Sequence, residues 1–185
     1  LWSHFRKGRE SASFEYNKEW LANPHRFALE PLLPLADGTF HTNPGQSVFG
    51  AIGDSTPDRW GRILMRRAEL ARARTANESP HTLSELDYLL RVNDEARQGA
   101  LRFSQDGGQS FCAPPGSTPI PPLVNLSRLL HAADHFCRDD ENAEDLRLLL
   151  APGSSLGGAR PKASVKDKKG NLCIAKFPRY DDEYN

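Results

Sequence analysis

A chain of 185 residues with 38% apolar content can bury the core of one ordinary domain or two small ones. Its 24 basic and 24 acidic residues cancel, so composition offers no general case for nucleic acid or membrane, and any basic patch must be local. No apolar run approaches a membrane span, and the start, Leu1-Trp-Ser-His4, is neither a signal peptide nor a methionine start, which reads as a chain beginning inside a longer protein.

Leu1 to Asn43 mixes short alternating pieces, Ala12 to Tyr16 and Arg26 to Leu29, with turn residues at Asn23-Pro24, Pro31, Pro34 and Asp37-Gly38, which predicts a small β-rich unit. From Pro57 to Arg74 the residues Trp60, Ile63, Leu64, Ala68, Leu70 and Ala71 recur at helical spacing, with proline suited to the first turn. The other face of that helix carries Arg59, Arg62, Arg66, Arg67, Arg72 and Arg74 against Asp58 and Glu69, either a solvated face or a surface for an acidic partner. Thr82 and Glu85 have capping-box spacing ahead of a helix over Leu83 to Arg91, with Leu83, Leu86, Leu89 and Leu90 inward. Gly99 to Phe103 reads as a short strand, and residues 105–122, rich in Gly, Pro and Ser, read as a linker.

Leu126 to Arg138 is helical and sets His131 and His135 one turn apart. Ala132 stands where the metalloprotease pattern needs glutamate, so these are read as exposed helix histidines with no metal site. Cys112, Cys137 and Cys173 form no Cys-x-x-Cys and point to a reducing, cytoplasmic setting. A last helix, Asn142 to Leu150, begins after Asp139, Asp140 and Glu141 and is ended by Pro152-Gly153.

That helix delivers the chain into Gly153-Ser-Ser-Leu-Gly-Gly158, a backbone open enough to bring its N–H groups close to an anion. Two β-prone runs follow, Lys162 to Val165 and Leu172 to Phe177, joined by the turn Asp167 to Asn171. On a period of two, Lys176 shares a face with Leu172 and Ile174. Gly153 and Gly158 have Walker spacing, but Ala159-Arg160 replaces Lys-Ser/Thr; the dinucleotide fingerprint is absent too, and a helix rather than a strand precedes the loop. Spacing leaves two readings: a kinase-type arrangement of glycine-rich loop and strand lysine, here in Cys-Ile-Ala-Lys176, or a Gly/Ser turn beside a surface lysine.

In Ser155-Leu-Gly-Gly-Ala-Arg-Pro-Lys162, Ile174-Ala-Lys-Phe-Pro178, Phe49-Gly-Ala-Ile-Gly-Asp-Ser-Thr-Pro-Asp-Arg-Trp-Gly-Arg62 and Gly99-Ala-Leu-Arg-Phe103, in this order along nearly the whole chain, the sequence resembles the HipA-family serine/threonine kinases, toxins of bacterial toxin–antitoxin pairs. The resemblance implies an α+β fold. Residues 1–104 would form a HipA-like N-terminal subdomain, β-barrel-like and lacking its first strands; 105–122 a linker; and 123–185 a helical connector with part of a kinase-like N-lobe. It implies ATP and Mg²⁺ as cofactors, with Ser154, Ser155, Leu156, Gly157, Gly158, Ala159 and Lys162 covering the nucleotide and Lys176 on the α- and β-phosphates. Ser155 matches the autophosphorylated loop serine, where about two negative charges would repel ATP. Implied partners are a helix-turn-helix, HipB-like antitoxin, DNA through that antitoxin, and a protein substrate such as an aminoacyl-tRNA synthetase, with no membrane.

The departure from the family comes at the end. Asp181, Asp182 and Glu183 follow Lys176 too closely to be the carboxylates that hold Mg²⁺ and orient the acceptor, so no catalytic residue is assigned. The chain then reads as an inactive piece of a kinase: a cloned piece, a proteolytic piece or half of a split protein. The alternative is a non-catalytic module that binds an antitoxin, DNA or a separate kinase lobe through the Arg59 to Arg74 helix.

Overall fold

The computed structural model describes residues 1–6, 8–112, 120–153 and 157–178. It is a mixed α+β chain with two small antiparallel sheets. It divides into two compact units, one of residues 1–54 with 84–86 and one of 55–83 with 87–185.

In the first unit β1 (Trp2–Arg6), β2 (Arg9–Glu15) and β3 (Thr39–His41) form a sheet in that order, with Trp2 opposite Ser13 and Phe14 opposite Phe40. Alternation along β2 sends Phe14 into an aromatic cluster, edge-on to Tyr16 at 4.8 Å and to Phe49 at 6.1 Å. The Tyr16 hydroxyl is buried and fully used, donating to the Leu33 carbonyl (2.8 Å) and accepting from the Leu29 amide (3.0 Å). Helices α1 (Lys18–Ala22) and α2 (Gly50–Gly53) are short. Phe49 has no capping side chain, and the Glu30 carboxylate instead accepts from the Ala51 amide at 2.6 Å. Arg26 to Leu29 forms no strand; its backbone is spent on the turn at Asn23 and on Tyr16.

The second unit is built around α3 (Arg59–Ala76), capped by the Asp58 side chain and closed by Asn77 in the left-handed region. With α5 (Leu126–Cys137), α6 (Ala143–Gly153) and the hairpin β4–β5 (Lys162–Lys166, Leu172–Lys176), it encloses a core of Trp60, Leu64, Leu129, Phe136, Leu149, Val165 and Phe177. A second cluster joins Met65 of α3 to Tyr88 of α4 (Glu85–Arg91) and to Val92. Because α4 starts at Glu85, Thr82 is not its cap. Gly99 to Phe103 is not a strand either: the Arg97 guanidinium binds the carbonyls of Ser55, Leu89 and Val92 and lies over the Phe103 ring, so tertiary contacts set this segment's path.

On the charged face of α3, Arg59, Arg66, Arg72 and Arg74 are exposed, while Arg62 and Arg67 are half-buried. Arg62 lies over Tyr88, while Arg67 covers Phe136, donates to its carbonyl at the end of α5 and pairs with Glu141 and Asp139. Leu70 is exposed, whereas Glu69, its neighbour, is buried. The carboxylate of Glu69 accepts from Arg72, Arg91 and the His81 amide. The Arg72 hydrogen bonds, followed by the His81 amide and Arg91, hold Glu69 down from 4.5 to about 2. A depressed folded-state value means the contribution is complete above pH 4.5 and fades as pH falls toward 2. Glu69→Gln is therefore expected to remove ~3 kcal/mol of stability at pH 7 and little at pH 2.5. Urea unfolding at both pH values checks this; an equal loss at both would contradict it.

Candidate functional site

The hairpin carries the site. Asp167 organises the turn: its carboxylate accepts from the Lys169 and Asn171 amides (2.8 and 2.9 Å), and Gly170 takes φ +83°. This register makes Lys162, first in β4, the direct partner of Lys176, last in β5. Ala163, Val165 and Phe177 pack into the core on one side. Lys176 shares the other with Ile174 and Leu172, both about half exposed. Those two side chains therefore do not anchor the strand; Phe177 and the Ala163–Ala175 pair do.

The loop enters from α6 and leaves into β4. Ser154, Ser155 and Leu156, expected here, lie outside the described residues. Gly157, Gly158 and Ala159 come back beside the first turn of α3. The Gly158 N–H donates to the Asp58 carboxylate (2.5 Å), and its carbonyl accepts from the Trp60 N–H (3.1 Å). The Trp60 indole N–H donates to the Lys162 carbonyl at 2.9 Å, and the Lys162 ammonium turns back to the Gly157 carbonyl. Gly158 has φ +88°, and a Cβ there would lie 2.8 Å from the Lys162 Nζ. At Gly153 a Cβ would meet Leu64 at 2.7 Å and the Trp60 indole nitrogen at 3.0 Å, so any side chain there would force the core around Leu64 to shift.

The structure thus brings Gly157, Gly158, Lys162 and Lys176 to one end of the hairpin and adds Asp58 and Trp60. Local sequence places Asp58 only among the charges on the polar face of α3; nothing near it in the chain points to a glycine one hundred residues on. The Asp58 carboxyl sits below the usual range, chiefly because the Gly158 amide and then the Arg59 amide donate to it, with Lys162 and Arg62 adding positive charge nearby. Among the described residues the Lys176 ammonium makes no hydrogen bond or ion pair; only its backbone is engaged, in the β4–β5 pairing. Chemically the arrangement offers two cations and a glycine backbone suited to a polyanion.

Elsewhere in this unit a cleft of about 650 Å³ runs between Met65, Leu90, Phe111 and Leu150 and the Glu69–Arg91 pair; none of the loop or lysine residues lines it. On α5 the rings of His131 and His135 stand 4.0 Å apart, and His135 Nδ1 pairs with Asp145 at 3.0 Å. Among the described residues no group of three or more His, Cys, Asp or Glu is placed to hold a metal ion, and no helix is long and apolar enough to cross a membrane.

These features define an α+β protein in which Gly158 and Lys162 are bonded to the start of a long helix and Lys176 lies opposite Lys162 in the hairpin. Residues 3–104, more than half of the chain, match the family model described as the HipA N-terminal domain, and the chain belongs to the HipA family as its N-terminal portion. That match includes Asp58 and Trp60 and ends before Gly158 and Lys162, which they hold. No curated protein and no solved structure matched the chain.

Proposed function

We propose that this chain is the N-terminal part of a HipA-like serine/threonine kinase toxin and that its loop and hairpin bind the phosphates of ATP. The observation that carries the reading is the cross-strand pairing of Lys162 with Lys176 beside Gly157 and Gly158. Like charges directly opposite on neighbouring strands cost a sheet stability, so folding alone does not ask for them. A polyphosphate between the two ammonium groups turns that cost into affinity, and membership of the HipA family supports ATP as its source. Ser154, Ser155 and Leu156 would complete the loop, with Ser155 as its autophosphorylation site, and Mg²⁺ would arrive with the nucleotide.

Transfer itself depends on positioned carboxylates and metal, and no residue of this chain is assigned those roles. The reading extends to the partners that family resemblance implies: a helix-turn-helix antitoxin on DNA and a protein substrate such as an aminoacyl-tRNA synthetase. The second reading, a surface on α3 for an antitoxin, DNA or a separate kinase lobe, keeps the exposed Arg59, Arg66 and Arg74 but not Arg62, Arg67 and Arg72, which are engaged within the protein.

The purified 185-residue chain is expected to retain labelled ATP in equilibrium dialysis with Mg²⁺, while intact-mass spectrometry finds no added phosphate. Absence of retention by folded protein would remove the proposal, and phosphate on the chain would overturn its division of labour.

A further inference from the structure

An N-cap aspartate ordinarily spends its oxygens on the amides of its own first turn. Asp58 divides them. Oδ1 accepts from the Arg59 amide at 2.7 Å, and Oδ2 reaches out to the Gly158 amide at 2.5 Å. The Gly158 carbonyl is held from the same turn by the Trp60 N–H, and the Lys162 ammonium is occupied by the Gly157 carbonyl. The Gly158 amide and the Lys162 ammonium are therefore both satisfied from within the protein. One oxygen of a negatively charged carboxylate thus sits on the Gly158 amide, a donor that the ATP reading gives to phosphate.

We infer that Asp58 is an internal competitor for the phosphate: the loop rests self-liganded, and nucleotide binding exchanges the Asp58 carboxylate for phosphate on the Gly158 N–H. The inference rests on the ATP reading above. Trp60 keeps its hold on the Gly158 carbonyl in either state, so the exchange moves one side chain rather than the loop. The Asp58 side chain is exposed, so its release from Gly158 uncovers no buried surface. The carboxyl is held below its usual range, so the competitor is charged throughout the neutral region.

Two variants separate competition from support. Asp58→Ser retains a capping oxygen but is too short to reach Gly158, and Asp58→Asn retains the shape and removes the charge. Competition predicts that both bind MgATP about fivefold more tightly than wild type, the size of one screened like-charge contact. Without nucleotide, hydrogen exchange at the Gly158 amide should be faster in Asp58→Ser. Weaker or unchanged ATP binding in both, with faster Gly158 exchange, would make Asp58 a support for the loop and overturn the inference. Unchanged exchange would show that there is no clamp. If neither wild type nor variants bind ATP, the nucleotide reading itself fails, and the exchange result still distinguishes that failure from failure of the clamp.

Discussion

Trp60→Ala is expected to lower the stability of the α3-containing unit by ~4 kcal/mol, a cost at the level of large-to-small changes in a packed core. The indole is 3% exposed, packs with Leu64 and Leu149 and meets Phe136 edge-on with centroids 5.0 Å apart. Truncation opens a cavity and also leaves the Lys162 carbonyl without the indole donor at 2.9 Å. Trp60→Phe refills most of the volume and keeps the edge contact, so it should cost only about 1–2 kcal/mol, the hydrogen-bond share. Urea unfolding of the three proteins measures the order. Equal costs for Phe and Ala would mean that the hydrogen bond, not the packing, holds this corner.

Lys176→Ala should weaken ATP binding tenfold or more, because a charge-assisted contact to phosphate is worth about 1.5–3 kcal/mol. The same substitution should leave stability unchanged or slightly higher. Lys176 is exposed, its ammonium has no partner among the described residues, and it faces Lys162 across the sheet, so its removal relieves a repulsion. That opposite movement of affinity and stability is not what a structural lysine would give. Calorimetric titration paired with thermal unfolding reads both quantities. Unfolding of the variant, or undiminished affinity, would remove Lys176 from the site.

Much of this frame was legible in the sequence. The spacing of Trp60 and Leu64 located α3, the Asp167 to Asn171 turn located the hairpin, and a period of two put Lys176 with Ile174 on one face. What was not legible depends on contacts far apart in the chain. Glu69 reads as a surface charge beside an apolar Leu70, yet Arg72 on its own helix and Arg91 beyond it neutralise Glu69 inside, and the leucine is left outside. Gly99 to Phe103 looks like a strand until Arg97 is seen to bind three carbonyls and stack on Phe103. The Asp58–Gly158 and Trp60–Lys162 bonds join stretches that each carry a motif, but no local pattern in either predicts that they touch.

Backbone amide NMR during titration with MgATP asks whether the loop and the lysine pair form an anion site for nucleotide. Saturable shifts are expected, centred on Gly157, Gly158, Lys162 and Lys176, with smaller ones at Asp58 and Arg59 as the carboxylate is displaced. A spectrum that does not change, or shifts centred on the separate cleft at Met65, Leu90 and Phe111, would contradict an anion site there.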